Sequence, residues 1–172
     1  MTLSNSLTLL RIILTPVCVG LLFLPIPHKE LYAAGVFILA AITDGLDGYV
    51  ARVRNETSTF GKAFDPLADK ILIGAALFSL YKLGRVSLWI VLVILGREAL
   101  ITLLRSAARK KGLAIAASIW GKIKTVTQIS AIIALILSLP GAMLLLYVAV
   151  IFTVFSAVDY FFKWKQVFSG KK

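Results

Sequence analysis

The chain has 172 residues, of which 59% are hydrophobic and 16% are charged, and its formal net charge is +11. A soluble domain of this length has too little interior to bury so much apolar surface, so the composition predicts a membrane protein. A disulfide framework is excluded, because Cys18 is the only cysteine in the sequence.

Six apolar segments follow one another along the chain, and we predict each to be a helix of a single domain, 1–172. The first four predicted ranges are 7–24, 31–53, 62–83 and 88–110, and two more helices share the uncharged stretch 125–158. Leu139-Pro140-Gly141 marks the turn between the last two helices. The third helix has an alternative start at Asp65, which would be an N-cap ahead of Pro66.

The basic residues divide unequally if successive helices cross the membrane in alternate directions. Thirteen fall on the side that carries both termini, and three fall on the other side. The thirteen are Arg52, Arg54, Lys62, Arg105, Arg109, Lys110, Lys111, Lys122, Lys124, Lys163, Lys165, Lys171 and Lys172. Because cytoplasmic loops are enriched in Lys and Arg, we expect six spans in the cytoplasmic (inner) membrane, with both termini in the cytoplasm. Basic residues at membrane boundaries also argue against a nucleic-acid partner.

The second, third and fourth helices are each apolar over only part of their length. Their uncharged parts, 31–43, 71–81 and 86–96, contain 13, 11 and 11 residues. Eleven helical residues span about 16 Å, roughly half of a ~30 Å hydrocarbon core. With six spans, the polar halves all fall on the cytoplasmic side. We therefore predict an all-α integral membrane fold, with six transmembrane helices around a polar cavity that opens to the cytoplasm.

Five of the eight acidic residues lie in one 26-residue window, and four of the five are the aspartates Asp44, Asp47, Asp65 and Asp69. Spacings of three and four residues put each pair on one helix face. Two such faces brought together offer oxygen ligands suited to divalent cations, and two ions would balance the four charges. A carboxylate not fully committed to metal could deprotonate an attacking hydroxyl. The alternative is that these acids only pair with neighbouring Arg and Lys.

Small residues and an arginine accompany the aspartates. Gly48 and Ala51 leave room for a bulky ligand beside the carboxylates, and Arg52 can donate a forked pair of hydrogen bonds to phosphate. With Gly61, the window reads Asp-x2-Asp-Gly-x2-Ala-Arg-x8-Gly-x3-Asp-x3-Asp. This pattern resembles the signature of the CDP-alcohol phosphatidyltransferase family at every specified position.

The resemblance implies a homodimeric membrane enzyme that uses CDP-diacylglycerol and two Mg²⁺ ions, with Mn²⁺ as the alternative ion. An alcohol hydroxyl attacks the β-phosphorus of this lipid, and CMP leaves. By the same resemblance, the ions are bound by Asp44, Asp47, Asp65 and Asp69, and Asp69 is also the general base. The nucleotide contacts implied by the family are Asp47, Gly48, Ala51, Arg52 and Gly61.

Basic residues of the fourth and fifth helices outnumber the acids near them, which favours an anionic acceptor such as a phosphorylated alcohol. They are Arg97, Arg105, Lys122 and Lys124, and we predict that they bind the acceptor phosphate. Two further stretches are Asn5-x-Leu7-Thr8-x2-Arg11 and Gly121-Lys122-Ile123-Lys124-Thr125-x2-Gln128. These stretches, with Arg97-Glu98, resemble family members whose acceptor is sn-glycerol 3-phosphate, and the resemblance implies that acceptor.

Plainer roles stay open for these cations. Arg97 could pair only with Glu98 or Asp65, Arg105 could reach the membrane interface, and the two lysines could be ordinary cytoplasmic-side residues.

Asp159 is expected to pair with Lys163, one helical turn later. The competing functions are the same chemistry on inositol phosphate, phosphatidylglycerol or serine, and a cation transporter that uses the aspartates as an ion path.

Overall fold

The computed structural model describes residues 3–54, 59–110 and 119–168, and their side chains over 6–43, 70–108 and 119–165. These ranges contain six helices. They are α1 (Leu3–Phe23), α2 (Lys29–Arg54), α3 (Thr59–Lys82), α4 (Leu88–Lys110), α5 (Ile119–Ile136) and α6 (Ala142–Phe168). The predicted all-helical architecture is confirmed for the described part of the chain.

The helix limits differ from the predicted ranges mainly at polar ends. α3 begins at Thr59, so the alternative start at Asp65 is wrong. α5 begins at Ile119 and α6 ends at Phe168, so both extend beyond the uncharged stretch 125–158. The physical reason is that Lys and Arg are good helix formers, and a helix therefore continues where its apolar stretch has ended.

Within the described residues, three helices are long and apolar enough to cross a membrane. The segments concerned are Ser6–Phe23, Ile119–Ile136 and Ala142–Lys165. Large apolar side chains such as Ile13, Val126 and Phe155 are exposed on them. Exposed apolar surface of this extent is expected against lipid rather than water. The chain is therefore a helical integral membrane protein.

The first of two compact units comprises Met1–Val86 and Ile132–Pro140. In this unit α1 packs against α2 and α3, and Phe37 and Leu77 are fully buried. The turn between α3 and α4 contains Gly84 at a φ of 71°, a left-handed conformation that costs glycine least.

The second unit comprises Ser87–Ala131 and Gly141–Lys172, and α4 packs against α6 in it. Trp89 stacks on Tyr147 with ring centroids 6.5 Å apart. Further along both helices, Nη2 of Arg97 donates a hydrogen bond to Oγ of Ser156 at 3.0 Å. Because the residue numbers rise together along this interface, α4 and α6 run in the same direction.

Arg85 connects three segments of the first unit. Its Nη1 donates to the carbonyl oxygens of Leu135 at 3.0 Å and Ile136 at 2.9 Å, in the last turn of α5. Its Nη2 donates to Oε1 of Glu30 at 3.1 Å, in the first turn of α2. A guanidinium there meets carbonyls that lack helical partners and complements the negative end of the helix dipole. A hydrogen bond from the backbone at Glu30, followed by that from Arg85, lowers the pKa of the Glu30 carboxyl.

We expect Arg85→Gln to lower the free energy of unfolding by about 1–3 kcal/mol, because hydrogen bonds from a charged donor to the end of α5 are lost. Thermal unfolding of the detergent-solubilised protein measures the effect. Lys82→Gln removes the same charge from an exposed side chain of the same turn region, and it should change stability by less than about 0.5 kcal/mol. Equal effects of the two substitutions would contradict the connecting role of Arg85.

Candidate active site

The four aspartates of the predicted metal site belong to two helices of the first unit. Asp44 and Asp47 lie on α2, and Asp65 and Asp69 lie on α3. Since both segments are helical, each pair is separated by about one turn along its helix. The side chains of these residues, and the positions of Gly48, Ala51, Arg52 and Gly61 as ligand contacts, lie outside the described residues.

A buried cation lies on the helix that packs against α2 and α3. Arg11 of α1 is 0% exposed, and it is the largest fully buried side chain among the described residues. Its carbonyl oxygen accepts a hydrogen bond from Oγ1 of Thr15 at 2.9 Å. Arg11 is the last residue of the Asn5-x-Leu7-Thr8-x2-Arg11 stretch, and no role was predicted for it from the sequence. The available signal was an arginine within an otherwise apolar segment, which is costly unless its charge is used.

Side chains of α4, α5 and α6 meet in the second unit at Arg97, Glu98, Lys124 and Ser156, which we call the Glu98 cluster. Oε1 of Glu98 accepts hydrogen bonds from Nη1 of Arg97 at 3.1 Å and from Nζ of Lys124. Nη2 of Arg97 donates a hydrogen bond to Oγ of Ser156. The side chains of Arg97, Glu98 and Lys124 are only 12%, 16% and 6% exposed. The cluster is therefore an ion network largely withdrawn from solvent.

The composition of the Glu98 cluster favours an anionic ligand. Among the described contacts two cations share one carboxylate oxygen, so the four side chains together have a formal charge of +1. Nε of Arg97 is buried and has no hydrogen-bond partner among the described residues. An unsatisfied donor on a withdrawn guanidinium is costly, and phosphate oxygens are the acceptors that best match its fork.

The other two predicted acceptor cations lie apart from the Glu98 cluster. Lys122 is exposed, whereas Lys124 is buried. The two differ because residues two apart on a helix are about 200° apart around its axis. Arg105 is also exposed, and its guanidinium lies over the Tyr160 ring, 5.6 Å from the centroid. The structure thus brings together two of the four predicted cations.

A polar stripe on α6 extends the Glu98 cluster. Ser156 donates to the carbonyl oxygen of Thr153 at 2.9 Å, and Oγ1 of Thr153 accepts from Nε2 of Gln128 at 2.8 Å. Sequence reasoning gave none of these three a role, although two hydroxyl residues three apart in an apolar helix were a usable signal. The predicted pair of Asp159 and Lys163 is confirmed, with Oδ2 and Nζ 2.9 Å apart.

Comparison with known proteins agrees with the signature in α2 and α3. The family model described as CDP-alcohol phosphatidyltransferase matches residues 1–155. The chain belongs to the CDP-alcohol phosphatidyltransferase family, as the sequence resemblance predicted.

Individual relatives are similar over nearly the whole chain. The CDP-diacylglycerol–glycerol-3-phosphate 3-phosphatidyltransferase of Bacillus subtilis strain 168 is 42% identical, over 96% of each chain. A probable phosphatidylglycerophosphate synthase of Mycobacterium tuberculosis strain H37Rv is 40% identical, over 92% of this chain and 79% of that one. A Rickettsia felis protein with the same name as the Bacillus relative is 35% identical, over 96% of this chain and 97% of its own.

The difference between the two lysines of α5 predicts different effects on stability. Lys124→Met leaves the withdrawn Glu98 carboxylate with one donor fewer, so we expect the free energy of unfolding to fall by about 1–3 kcal/mol. Lys122→Met removes the same charge from an exposed position and should change it by less than about 0.5 kcal/mol. Thermal unfolding in one detergent compares the variants. A Lys122 variant as unstable as the Lys124 variant would contradict this description of the cluster.

Proposed function

We propose that this protein transfers the phosphatidyl group of CDP-diacylglycerol to sn-glycerol 3-phosphate and releases CMP. The product is phosphatidylglycerophosphate. The observation that carries the proposal is the similarity, over more than nine-tenths of the chain, to relatives whose names state this reaction or its product. The positive charge of the Glu98 cluster supports an acceptor that bears a phosphate.

The proposal includes six membrane spans, with both termini in the cytoplasm and a polar cavity that opens to the same side. The common direction of α4 and α6 supports these spans. If α4 and α6 cross the membrane in the same direction, α5 must cross it in the opposite direction between them. The charge asymmetry of the loops supports the orientation. In this arrangement the acyl chains of the donor stay in lipid, while the nucleotide and the acceptor enter from the cytoplasm.

The aspartates of α2 and α3 form the metal site in this proposal. Carboxylate oxygens are the ligands that Mg²⁺ and Mn²⁺ prefer, and the four charges of Asp44, Asp47, Asp65 and Asp69 match two divalent ions. When bound, the ions would neutralise the pyrophosphate and the departing CMP. The nucleotide would lie against Asp47, Gly48, Ala51, Arg52 and Gly61.

Residues of the chain carry the proton and orient the acceptor. The oxygen of the acceptor 1-hydroxyl attacks the β-phosphorus, and Asp69 accepts the hydroxyl proton. The new phosphodiester bond forms as the bond from this phosphorus to the CMP oxygen breaks. Arg97 and Lys124 bind the acceptor phosphate and so fix the hydroxyl in position. The exposed Arg105 and Lys122 contribute positive charge that attracts the acceptor.

We expect Asp69→Asn to reduce CMP release by about 10²–10⁴-fold, because the amide cannot accept the hydroxyl proton. The assay uses purified protein, CDP-diacylglycerol and Mg²⁺, with glycerol 3-phosphate, inositol phosphate, phosphatidylglycerol or serine as the acceptor. Asp159→Asn makes the same chemical change in the pair with Lys163 and should leave the rate unchanged. Full activity of Asp69→Asn would refute its role as base, and turnover only with another acceptor would refute the proposed reaction.

Arg97→Lys keeps the positive charge but loses the guanidinium fork, so we expect the KM for glycerol 3-phosphate to rise about tenfold. The KM for CDP-diacylglycerol should stay unchanged in the same assay. Arg85→Lys is the matched control, because it makes the same substitution at a partly buried arginine of the first unit. If both KM values rose together in Arg97→Lys, a specific contact with the acceptor phosphate would be excluded.

A further inference from the structure

We propose that Glu98 is an internal competitor of the acceptor phosphate, and that it thereby sets how tightly and how selectively the acceptor is bound. This inference rests on the function proposed above. It assigns a role to Glu98, for which the sequence predicted only a place in the Arg97-Glu98 motif and an ion pair with Arg97. Glu98 contacts the groups that bind the acceptor in that proposal, so it is a specificity-determining residue rather than a catalytic one.

The hydrogen bonds of the Glu98 cluster carry the argument. Nη1 of Arg97 and Nζ of Lys124 both donate to Oε1 of Glu98. The remaining amino group of the guanidinium is held by Ser156, and Nε is buried and unpartnered among the described side chains. A phosphate that reaches these donors meets no competing partner at Nε among the described side chains. Nη1 and Nζ each keep further N–H groups, but a phosphate can draw on their full positive charge only by taking the place of the carboxylate.

The charges of the Glu98 cluster decide which acceptors can displace the Glu98 carboxylate from Arg97 and Lys124. The carboxylate reduces the charge of the two cations from +2 to +1, so it weakens the attraction for any anion. A neutral alcohol offers the cations less than the carboxylate already does and cannot displace it. A phosphate, with more charge and more acceptor oxygens, can displace it. Glu98 therefore favours phosphorylated acceptors and prevents the phosphate-bearing product from being held too tightly.

Replacement of Glu98 by glutamine separates these effects. Glu98→Gln keeps the shape of the side chain and an acceptor oxygen for Lys124 but removes the competing charge. We expect the inhibition constant of inorganic phosphate and the KM for glycerol 3-phosphate to fall together by about three- to tenfold. The kcat should fall as well, because release of the phosphate-bearing product slows. The KM for CDP-diacylglycerol should stay at the wild-type value.

Two variants control this experiment. Asp159→Asn removes one negative charge from the more exposed pair with Lys163 in the same unit, and it should leave the phosphate inhibition constant unchanged. Glu98→Asp keeps the competing charge, so its inhibition constant should stay near the wild-type value even if its stability is reduced. If Glu98→Gln does not fold, an inhibition constant for Glu98→Asp well below the wild-type value would overturn the proposal.

The outcomes distinguish this inference from the proposed function. An unchanged or raised inhibition constant in Glu98→Gln, with wild-type protein that turns over glycerol 3-phosphate, would show that Glu98 only supports the structure. If wild-type protein turns over no phosphorylated acceptor, the proposed function fails. Thermal stabilisation by inorganic phosphate then still tests Glu98, because tighter binding to Glu98→Gln supports competition and equal or weaker binding overturns it.

Discussion

An ionised side chain among apolar helices needs a compensating group, and this constraint decides where the charges of this protein lie. Removing a charge from water costs several kcal/mol unless a partner or hydrogen bonds replace the hydration. The ion pairs of the described side chains each join a cation to a carboxylate within reach, from Glu30 and Arg85 to Asp159 and Lys163. Compensation also explains Arg85, whose remaining donors meet two backbone carbonyl oxygens at the end of α5.

Two groups of charges are not simple ion pairs. One has an excess of acidic residues, and the other has an excess of basic residues. The window from Asp44 to Asp69 contains five of the eight acidic residues of the chain, and its four aspartates suit divalent cations. The Glu98 cluster has two cations for one carboxylate and a buried guanidinium nitrogen without a partner among the described residues. The first group fits metal and nucleotide diphosphate, and the second fits a smaller anion. A reaction between a metal-bound diphosphate and a phosphorylated alcohol needs both.

The sequence predicted most of the helices because long apolar runs and turn signals are local features. It was less accurate at polar ends, where α5 and α6 continue through lysines. The opposite environments of Lys122 and Lys124 were also accessible from sequence, since a spacing of two residues separates them around a helix. In contrast, the bond from Lys124 to Glu98 depends on how α4 and α5 are rotated about their axes. The same is true of the bond from Arg97 to Ser156, and no spacing within one helix encodes such a rotation.

We propose that carboxylates of α2 and α3 hold divalent ions that in turn bind the nucleotide. Isothermal titration of CMP into the purified protein, with Mg²⁺ and then with the ion removed by chelator, measures this binding. We expect saturable CMP binding that requires Mg²⁺, returns when Mn²⁺ is supplied, and is lost in Asp44→Asn. CMP binding of equal strength without any divalent ion, or no binding by folded protein in the presence of Mg²⁺, would contradict it.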